Sequence, residues 1–317
     1  MMTFCGICDN VKIMKINSVC MIGMGAVGAV VGKNLSTVLG KNNLYCIAQG
    51  ERLERYKTQG IFINGKRQNF NFVEPKDAKP VDLIIVATKN LQLSEVLPQI
   101  KNAVGKNTAI LSLLNGIQSE IDIAKVYGEE KVLYSFIVGL SSVHEGNNTI
   151  CSDSGTIVFG EKSNEKTERI KAIEELFTDS SQKCRISANI QLDLWKKYLM
   201  NVTCNTITAL CRSPYGAFNF EELNSLVRDA AKEVIAVANA EGIALTEQMC
   251  EDNINIMHTI DPKGKTSMFQ DVEARRKTEN EWFCGTVVEL AQKHGIKTPI
   301  CSILQRLIAI SELSWKI

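Results

Sequence analysis

The segment Gly23-Met24-Gly25-Ala26-Val27-Gly28 decides the fold of this chain. It follows an apolar run over 18–22 and opens an apolar stretch from 26 to about 40. Strand, glycine turn and helix in this order suit a dinucleotide pyrophosphate, because the glycines permit the turn, the approach of the phosphates and close helix–strand packing. We therefore predict a cofactor-binding loop made by Gly23, Gly25, Ala26, Val27 and Gly28.

The composition is typical of a globular protein with sizeable cores. The chain has 317 residues, of which 45% are hydrophobic and 22% charged. Its net charge of +1 provides no strong attraction to nucleic acid or to a membrane surface, so neither is expected as a partner. The most apolar long segment, 194–211, carries two lysines and two asparagines, which argues against a membrane span.

The cysteines favour a reducing compartment. There are 11 of them, an odd number scattered through apolar segments, as expected for buried free thiols in the cytoplasm. Cys5 and Cys8 form a CxxC pair, but no second pair or histidine cluster accompanies it, so no metal site is predicted. Residues 1–13 are predicted to be an extension that precedes the first strand.

The order of apolar segments predicts two domains. Strands are expected at 18–22, 44–48, 81–88, 108–113, 132–138, 155–160 and 184–187, with a hairpin over 61–73. Helices are expected at 26–40, 91–101, 119–127 and 165–177. This alternation predicts an α/β fold with a Rossmann-type, doubly wound and mainly parallel sheet over 1–188.

The remainder of the chain is predicted to be all-helical. Long segments with helical apolar spacing follow at 190–211, 221–241, 247–258, 267–294 and 299–314. We assign them to a second domain over 189–317, and we expect the active site in the cleft between the two domains.

Two polar rows lie on these predicted helices. Lys197, Asn201 and Asn205 are four residues apart in an otherwise apolar segment, which is compatible with a site or with interhelix hydrogen bonds. Asp271, Arg275 and a glutamate at 279 repeat the spacing on the helix predicted over 267–294, where an exposed ion-paired face is the favoured interpretation.

Polar residues also follow two predicted strands. Lys89-Asn90 comes after the strand ending at 88, and Asn115-Gly116 after the strand ending at 113. The carboxyl ends of strands in an open α/β sheet form the ligand crevice, although Asn-Gly is also an ordinary turn sequence. The three histidines are expected to be structural or exposed, so they are not the predicted proton donors.

Taken in order, these motifs resemble the ketopantoate reductase (2-dehydropantoate 2-reductase) family from about residue 14 to 312. The resemblance is carried by the glycine loop and by six further segments, namely Val86-Ala-Thr-Lys89, Leu114-Asn-Gly-Ile117, Leu194-Trp-Lys-Lys197 leading into Asn201–Asn205, Ser267–Asp271, Arg275–Glu279 and His294–Pro299. The joint order and spacing of the segments is more specific than any one of them.

The resemblance implies roles for individual residues. Lys197 matches the catalytic lysine of the family, and Glu279 matches its partner glutamate. The positions that match substrate or cofactor contacts are Asn115, Asn201, Asn205 and Ser267, with Lys89 near both ligands. The implied reaction is the reduction of 2-dehydropantoate to pantoate with NADPH in pantothenate and coenzyme A biosynthesis, with Lys197 as the general acid.

Two positions depart from the family pattern. Gln49 stands where the family has an arginine for the 2′-phosphate of NADP, and Gly264 stands where an asparagine is expected. Arg52 is close enough in sequence to replace the missing arginine, so NADP is favoured and NAD is the alternative.

Other functions remain open at this point. The same scaffold would serve a reductase of another 2-oxo acid, or a non-catalytic protein that senses NAD(P). The expected partner is a small 2-oxo acid, and the oligomeric state stays open between a monomer and a homodimer.

Overall fold

The structure is a computed structural model that describes residues 14–315, with the backbone alone at 141 and 143–145. The predicted extension over 1–13, including Cys5 and Cys8, lies outside the described residues.

Ten strands of the described chain form the sheet. They are β1 Val19–Ile22, β2 Leu44–Ile47, β3 Ile61–Ile63, β4 Lys66–Gln68, β5 Phe72–Val73, β6 Val81–Val86, β7 Val104–Ser112, β8 Val132–Glu145, β9 Asn148–Gly160 and β10 Cys184–Ile186. Their order is β4-β3-β9-β8-β7-β6-β1-β2-β5, with β10 beside β9. The strands from β5 to β8 in this order are parallel, and β9 is antiparallel to β8.

The central strands are apolar on both faces because helices cover both sides of the sheet. In β1, Met21 points into the core beneath helix α1 (Ala26–Leu35), whereas Cys20 joins the core on the opposite face. Strand β6 repeats this alternation with Ile85 and Ile84.

Five helices and several short 3₁₀ turns connect the strands. The helices are α1, α2 Gly50–Gln59, α3 Leu93–Val96, α4 Ser119–Tyr127 and α5 Glu168–Asp179. The 3₁₀ turns span Pro75–Asp77, Asn90–Gln92, Leu97–Ala103 and Glu129–Lys131. The helix predicted over 26–40 therefore ends at Leu35, and the helix predicted over 91–101 is mostly 3₁₀.

The strands beyond the central ones also differ from prediction. In the predicted hairpin, β3 pairs with β4, while β5 leaves the hairpin and pairs with β2. Strands β8 and β9 run much further than expected and form a long antiparallel ribbon with each other.

The second part of the described chain is helical, and the predicted fold class is confirmed. Its helices are α6 Ile190–Met200, α7 Thr206–Cys211, α8 Glu221–Ala240, α9 Glu247–Thr259, α10 Ser267–Glu273, α11 Thr286–His294 and α12 Pro299–Ser314. Two π-helical turns lie at Asn201–Asn205 and Glu281–Gly285, and a 3₁₀ turn spans Tyr215–Asn219. The domain limits, 1–188 and 189–317, stay predictions.

The helix predicted over 267–294 is wrong as a single element. Helix α10 ends at Glu273, and Arg275 has a left-handed backbone with φ of 51°. Thr278 then donates hydrogen bonds from its backbone N and its Oγ1 to Glu312 on α12, at 2.9 and 2.6 Å. These contacts draw the backbone away from a helical path, so Asp271, Arg275 and the glutamate at 279 do not share one helix face.

Within residues 14–315, no helix combines the length and the apolar character needed to cross a membrane. The cytoplasmic location stays a prediction.

Candidate active site

The glycine loop is packed so tightly that two of its positions require glycine. Gly23 has φ of +93°, and a Cβ atom there would lie 2.5 Å from the backbone carbon of Ala87. A Cβ on Gly28 would lie only 1.9 Å from the carbonyl oxygen of Gly23. The loop therefore joins β1 to α1 and brings them close to the carboxyl end of β6.

Gly25 faces open space instead. Apart from its two chain neighbours, no atom of the described residues lies within 4 Å of an ideal Cβ at Gly25, which is the residue before α1. The helix begins at Ala26 and Val27 without a side-chain cap and without an acidic residue in its first turn. Its first N–H groups are thus available to an anion, and the residues present fit a dinucleotide pyrophosphate.

A buried hydroxyl at the end of β6 supports the same conclusion. The Oγ1 atom of Thr88 is buried and has no hydrogen-bond partner in the described part of the chain. Thr88 directly follows Ala87, which packs against Gly23. A polar atom left unpaired there costs free energy, and a bound ligand would satisfy it.

Lys197 lies in the last turn of α6 and is half-buried. Its Nζ donates a hydrogen bond to Oδ1 of Asn115 at 3.0 Å and lies 5.5 Å from the ring centre of Phe136. Burial lowers the pKa of Lys197 to about 8, while the negative charges of Glu279 and Glu120 oppose this shift. An ammonium with this pKa is a better proton donor than an exposed lysine.

Asn115 links the lysine to Glu279. The Nδ2 of Asn115 donates to Oε2 of Glu279 at 2.8 Å, and the Nδ2 of Asn90 donates to Oε1 at 2.9 Å. Asn90 also donates to the backbone oxygen of Asn115 at 2.8 Å. Both carboxylate oxygens are therefore held by amides that follow strands of the sheet, and within residues 14–315 no ion pair joins Glu279 directly to Lys197.

The segment that carries Glu279 is anchored on both sides. Besides the bonds of Thr278, Lys277 forms an ion pair with Glu312 at 2.7 Å, and Asn280 donates to the backbone oxygen of Gln305 at 2.8 Å. Burial acts to raise the pKa of Glu312, but the hydrogen bonds and the charge of Lys277 outweigh it, so the pKa is lowered. An ionised Glu312 thus fixes the position of Glu279.

The two asparagines of the first polar row lie in the π-helical turn between α6 and α7. The Nδ2 of Asn205 donates to Oδ1 of Asn201 at 3.2 Å, and both side chains are buried. The Nδ2 of Asn201 has no partner among the described residues. Because π-helical turns in α-helices often lie at functional sites, this free donor is a candidate ligand contact.

Ser267 is the first residue of α10 and is exposed. The neighbouring Thr266 caps this helix by accepting a hydrogen bond from the backbone N of Phe269. Thr266 also hydrogen-bonds to Thr208 on α7, with 3.0 Å between the hydroxyl oxygens. Helix α10 is therefore fastened to the helix that follows Asn205.

Lys89 joins the two parts of the chain. Its Nζ forms an ion pair at 2.9 Å with Asp271 on α10. The other oxygen of Asp271 accepts a hydrogen bond from Nε of Arg276 at 2.8 Å. Arg275, which lies four residues after Asp271 in the predicted row, has a left-handed backbone, and it is the neighbouring Arg276 that pairs with Asp271.

Arg52 lies in the first turns of α2, just after β2, and is half-buried. Gln49 is exposed at the start of the same helix. Within residues 14–315, Arg52 forms no ion pair or hydrogen bond. Its guanidinium is thus free to bind a phosphate, and its role stays a prediction.

The structure thus brings Lys197, Asn115 and Glu279 into one hydrogen-bonded group and pairs Asn201 with Asn205. It adds Glu120, which the sequence prediction left out, and it gives Asn90 a hydrogen bond to Glu279. Asn90 was detectable from its place after β6, whereas the only sequence sign of a buried Glu120 was its position near the start of a predicted helix.

A Rossmann-type sheet whose glycine loop opens the first helix is the framework of NAD(P)-dependent oxidoreductases. The family model for ketopantoate reductase PanE/ApbA matches residues 19–164, and the model for its C-terminal part matches residues 189–312. The chain belongs to the ketopantoate reductase family.

Individual relatives agree with this assignment. The 2-dehydropantoate 2-reductase of Streptococcus pyogenes serotype M3 is 26% identical over 297 residues, which are 92% of this chain and 96% of the relative. An uncharacterized oxidoreductase, YkpB of Bacillus subtilis, is 27% identical over 286 residues, which are 88% of this chain and 94% of that one.

Solved structures share the fold at lower identity. A D-mandelate dehydrogenase in a ternary structure with NADH and anilino(oxo)acetate has a TM-score of 0.85 and 24% identity, covering 95% of this chain and 100% of that one. A dimeric ketopantoate reductase from Staphylococcus aureus has a TM-score of 0.79 and 23% identity, covering 94% and 99% of the two chains.

Proposed function

We propose that this protein reduces 2-dehydropantoate to pantoate with NADPH. The observation that carries the proposal is the hydrogen-bonded group of Lys197, Asn115 and Glu279, which holds a half-buried ammonium in a fixed place. The relatives named as 2-dehydropantoate 2-reductases, which align over nearly the whole chain, support this choice of substrate.

The reaction needs a hydride on carbon and a proton on oxygen. When bound, the nicotinamide supplies the hydride to the carbonyl carbon. Lys197 donates a hydrogen bond to the carbonyl oxygen and delivers its proton as negative charge develops there. Asn115 fixes the direction of the ammonium, and Glu279 holds Asn115 in turn.

The carboxylate and hydroxyl of the substrate need hydrogen-bond donors. The free Nδ2 of Asn201 and the exposed hydroxyl of Ser267 are suited to this role, with Asn205 holding the amide of Asn201 in orientation. Lys89, held by Asp271, contributes positive charge at the end of β6, where a ligand in the crevice would meet it.

NADPH is proposed over NADH because Arg52 is an unpaired cation close to the end of β2. This is the place where Rossmann-type proteins distinguish the ribose 2′-hydroxyl from a 2′-phosphate. The glutamine at position 49 carries no charge that would repel the phosphate.

A second candidate is a reductase of another 2-oxo acid. The structural likeness to D-mandelate dehydrogenase favours it. Gly264 favours it as well, because it lacks the side chain of the asparagine that the family pattern has at this position. A Cβ at Gly264 would lie 3.0 Å from the ring of Tyr215. A non-catalytic sensor is disfavoured, since a sensor has no use for a lysine with a lowered pKa.

The experiment that separates these candidates is an NADPH oxidation assay with 2-dehydropantoate and a panel of other 2-oxo acids, including an aromatic one. The highest kcat/KM for 2-dehydropantoate supports the proposal. A clear preference for another acid selects the second candidate, and cofactor binding without turnover of any acid would favour the sensor.

We also propose that the protein forms a homodimer through α12. Ile303, Leu307, Ile310 and Leu313 expose 48, 46, 61 and 59% of their surface, and their spacing places them on one helix face. The dimeric relative from Staphylococcus aureus supports a second copy as the partner. Sedimentation should report a dimer for the native chain and a monomer for Leu307→Lys.

A further inference from the structure

Glu120 is a buried carboxyl at the start of α4 that the proposed mechanism does not use. The residue is 1% exposed. The Oγ of Ser119 donates to its Oε2 at 2.9 Å, and the backbone N of Ser135 lies 3.4 Å from its Oε1. In the described part of the chain, no lysine or arginine forms an ion pair with it, although a buried carboxylate normally requires a charge partner.

A row of buried serines fixes this carboxyl. The Oγ atoms of Ser112 and Ser119 are 2.8 Å apart, and the Oγ of Ser135 donates to the backbone oxygen of Ser112. All three serines are at most 1% exposed. Glu120 is therefore held in one position by strands β7 and β8 together with α4, and it has little freedom to turn toward solvent.

Lys197 is the cation whose charge acts on the buried Glu120. The ring of Phe136, the residue after Ser135, lies 5.5 Å from the ammonium of Lys197. Burial raises the pKa of Glu120 to about 7, and Lys197 is the cation that opposes this rise. Burial lowers the pKa of Lys197 to about 8, and Glu120 is one of two carboxylates that oppose this fall. Each charge thus stabilises the other.

The other charged groups near this pair have partners of their own or face elsewhere. Asn115 links Glu279 to Lys197, and Tyr134 is a further titratable group near Glu120. On α6, the two other charged side chains form ion pairs with different elements, namely Lys196 with Asp252 and Asp193 with Arg185. On α4, Asp122 pairs with Lys125.

We propose that Glu120 is a positioning residue whose buried carboxylate is the counter-charge that keeps the proton on Lys197 until the substrate oxygen takes it. The inference rests on the proposed function in naming Lys197 as the acid. In the proton transfer, an N–H bond of Lys197 breaks and an O–H bond forms on the product. The neutral amine then regains a proton from water, and the charge of Glu120 favours this return.

The test is Glu120→Gln, which keeps the size of the side chain and its acceptor for Ser119 but removes the charge. The first measurement is the pH dependence with which an amine-reactive reagent labels Lys197 in the protein without substrate. We expect the midpoint to move to lower pH by roughly one unit, as for the loss of one nearby opposite charge.

The second measurement is turnover against pH. Since a general acid works only while protonated, the basic limb of kcat should move to lower pH together with the labelling midpoint. At pH near 8 the variant should be slower by about fivefold for a one-unit shift, and well below that pH it should match the native protein.

Two further variants complete the design. Ser119→Ala removes one hydrogen bond to the carboxylate of Glu120. It should move the labelling midpoint and the basic limb of kcat in the same direction as Glu120→Gln, but by less. This variant replaces Glu120→Gln in the test if that protein does not fold. Glu95→Gln removes an exposed carboxyl on α3 and should shift nothing.

The outcomes separate clearly. An unchanged labelling midpoint in Glu120→Gln or Ser119→Ala, or a loss of turnover that is equal at every pH, would show a purely structural role and overturn the inference. A shifted labelling midpoint in a protein that reduces no 2-oxo acid would support the action of Glu120 on Lys197 and reject the proposed function instead.

Discussion

Lys197 and Asn115 are joined by a hydrogen bond of 3.0 Å, although one lies on a helix of the C-terminal part and the other on a loop of the sheet. The same asparagine donates to Glu279 at 2.8 Å. Asn115 is therefore a bridge between the expected acid and its expected carboxylate partner. This arrangement differs from a direct ion pair between Lys197 and Glu279, because here the contact between the two depends on a residue from a loop of the sheet.

Replacing Lys197 with alanine should abolish most turnover. A general acid typically contributes about 10²–10⁴-fold to the rate, and kcat should fall by that factor. Cofactor affinity, measured by calorimetry, should change little because the glycine loop is untouched. The matched control is Lys196→Ala, which loses only the pair with Asp252 and should keep near-native turnover. An active Lys197→Ala protein would remove the lysine from the mechanism.

The bridge predicts a coupling that depends on Asn115. In a double-mutant cycle on kcat, Lys197→Ala and Glu279→Ala should together cost less than the sum of their separate effects. In an Asn115→Ala background, the coupling between the two should disappear because the connection is gone. Strict additivity in the native background would mean that Lys197 and Glu279 act separately.

Turnover should fall as pH rises through about 8, where Lys197 loses its proton. The sign follows from its role, since the protonated form is the active one and predominates below the pKa. The measurement is kcat at saturating substrate across a pH range that brackets this value. Lys197→Arg supplies the comparison, because a guanidinium does not titrate there, and any remaining activity should lack this limb. The same limb in both proteins would assign it to another group.

Alanine substitutions at two glycines of the loop, Gly25 and Gly28, should have opposite effects on stability. Gly25→Ala should keep or slightly raise stability, by about 0.4–1 kcal/mol, because the new Cβ meets no atom in the part of the chain that the structure describes, yet it should weaken cofactor binding. Gly28→Ala should destabilise the protein, because its Cβ would collide with the oxygen of Gly23. Thermal unfolding and cofactor titration measure the two effects. Gly40→Ala, in open space away from the loop, is the control, and normal cofactor affinity in Gly25→Ala would contradict this placement of the pyrophosphate.

Arg52 should determine the preference between the two nicotinamide cofactors. Loss of a hydrogen bond to a charged group costs about 1.5–3 kcal/mol, so Arg52→Ala should raise KM for NADPH by roughly tenfold to a hundredfold and leave KM for NADH unchanged. Steady-state kinetics with both cofactors gives the ratio. Arg55 lies on the exposed side of the same helix, and the control variant Arg55→Ala should leave the ratio of the two KM values unchanged. A native preference for NADH, or an unaltered ratio in Arg52→Ala, would reject the compensation by Arg52.

The sequence alone determined the architecture. Runs such as 83–87, which are apolar at every position, predict strands covered on both faces, and the loop from Gly23 to Gly28 predicts the turn into the first helix. These signals are local, because a strand or helix that is buried on one or both faces has a pattern of apolar residues within its own segment. The pattern can be recognised without knowing which distant residues pack against it. The change at about 189 from alternating segments to helical ones is equally local.

Only the tertiary structure decided how the site is assembled. Asn115 and Glu279 are 164 residues apart, and their contact depends on loops of the sheet meeting a segment that Glu312 holds in place. The break at Arg275 has the same origin, since Thr278 gives up helical hydrogen bonds for bonds to α12. The helical spacing of apolar residues cannot reveal that competition, because it depends only on the residues of one segment. The acceptor that competes for Thr278 is Glu312, which is distant in the sequence.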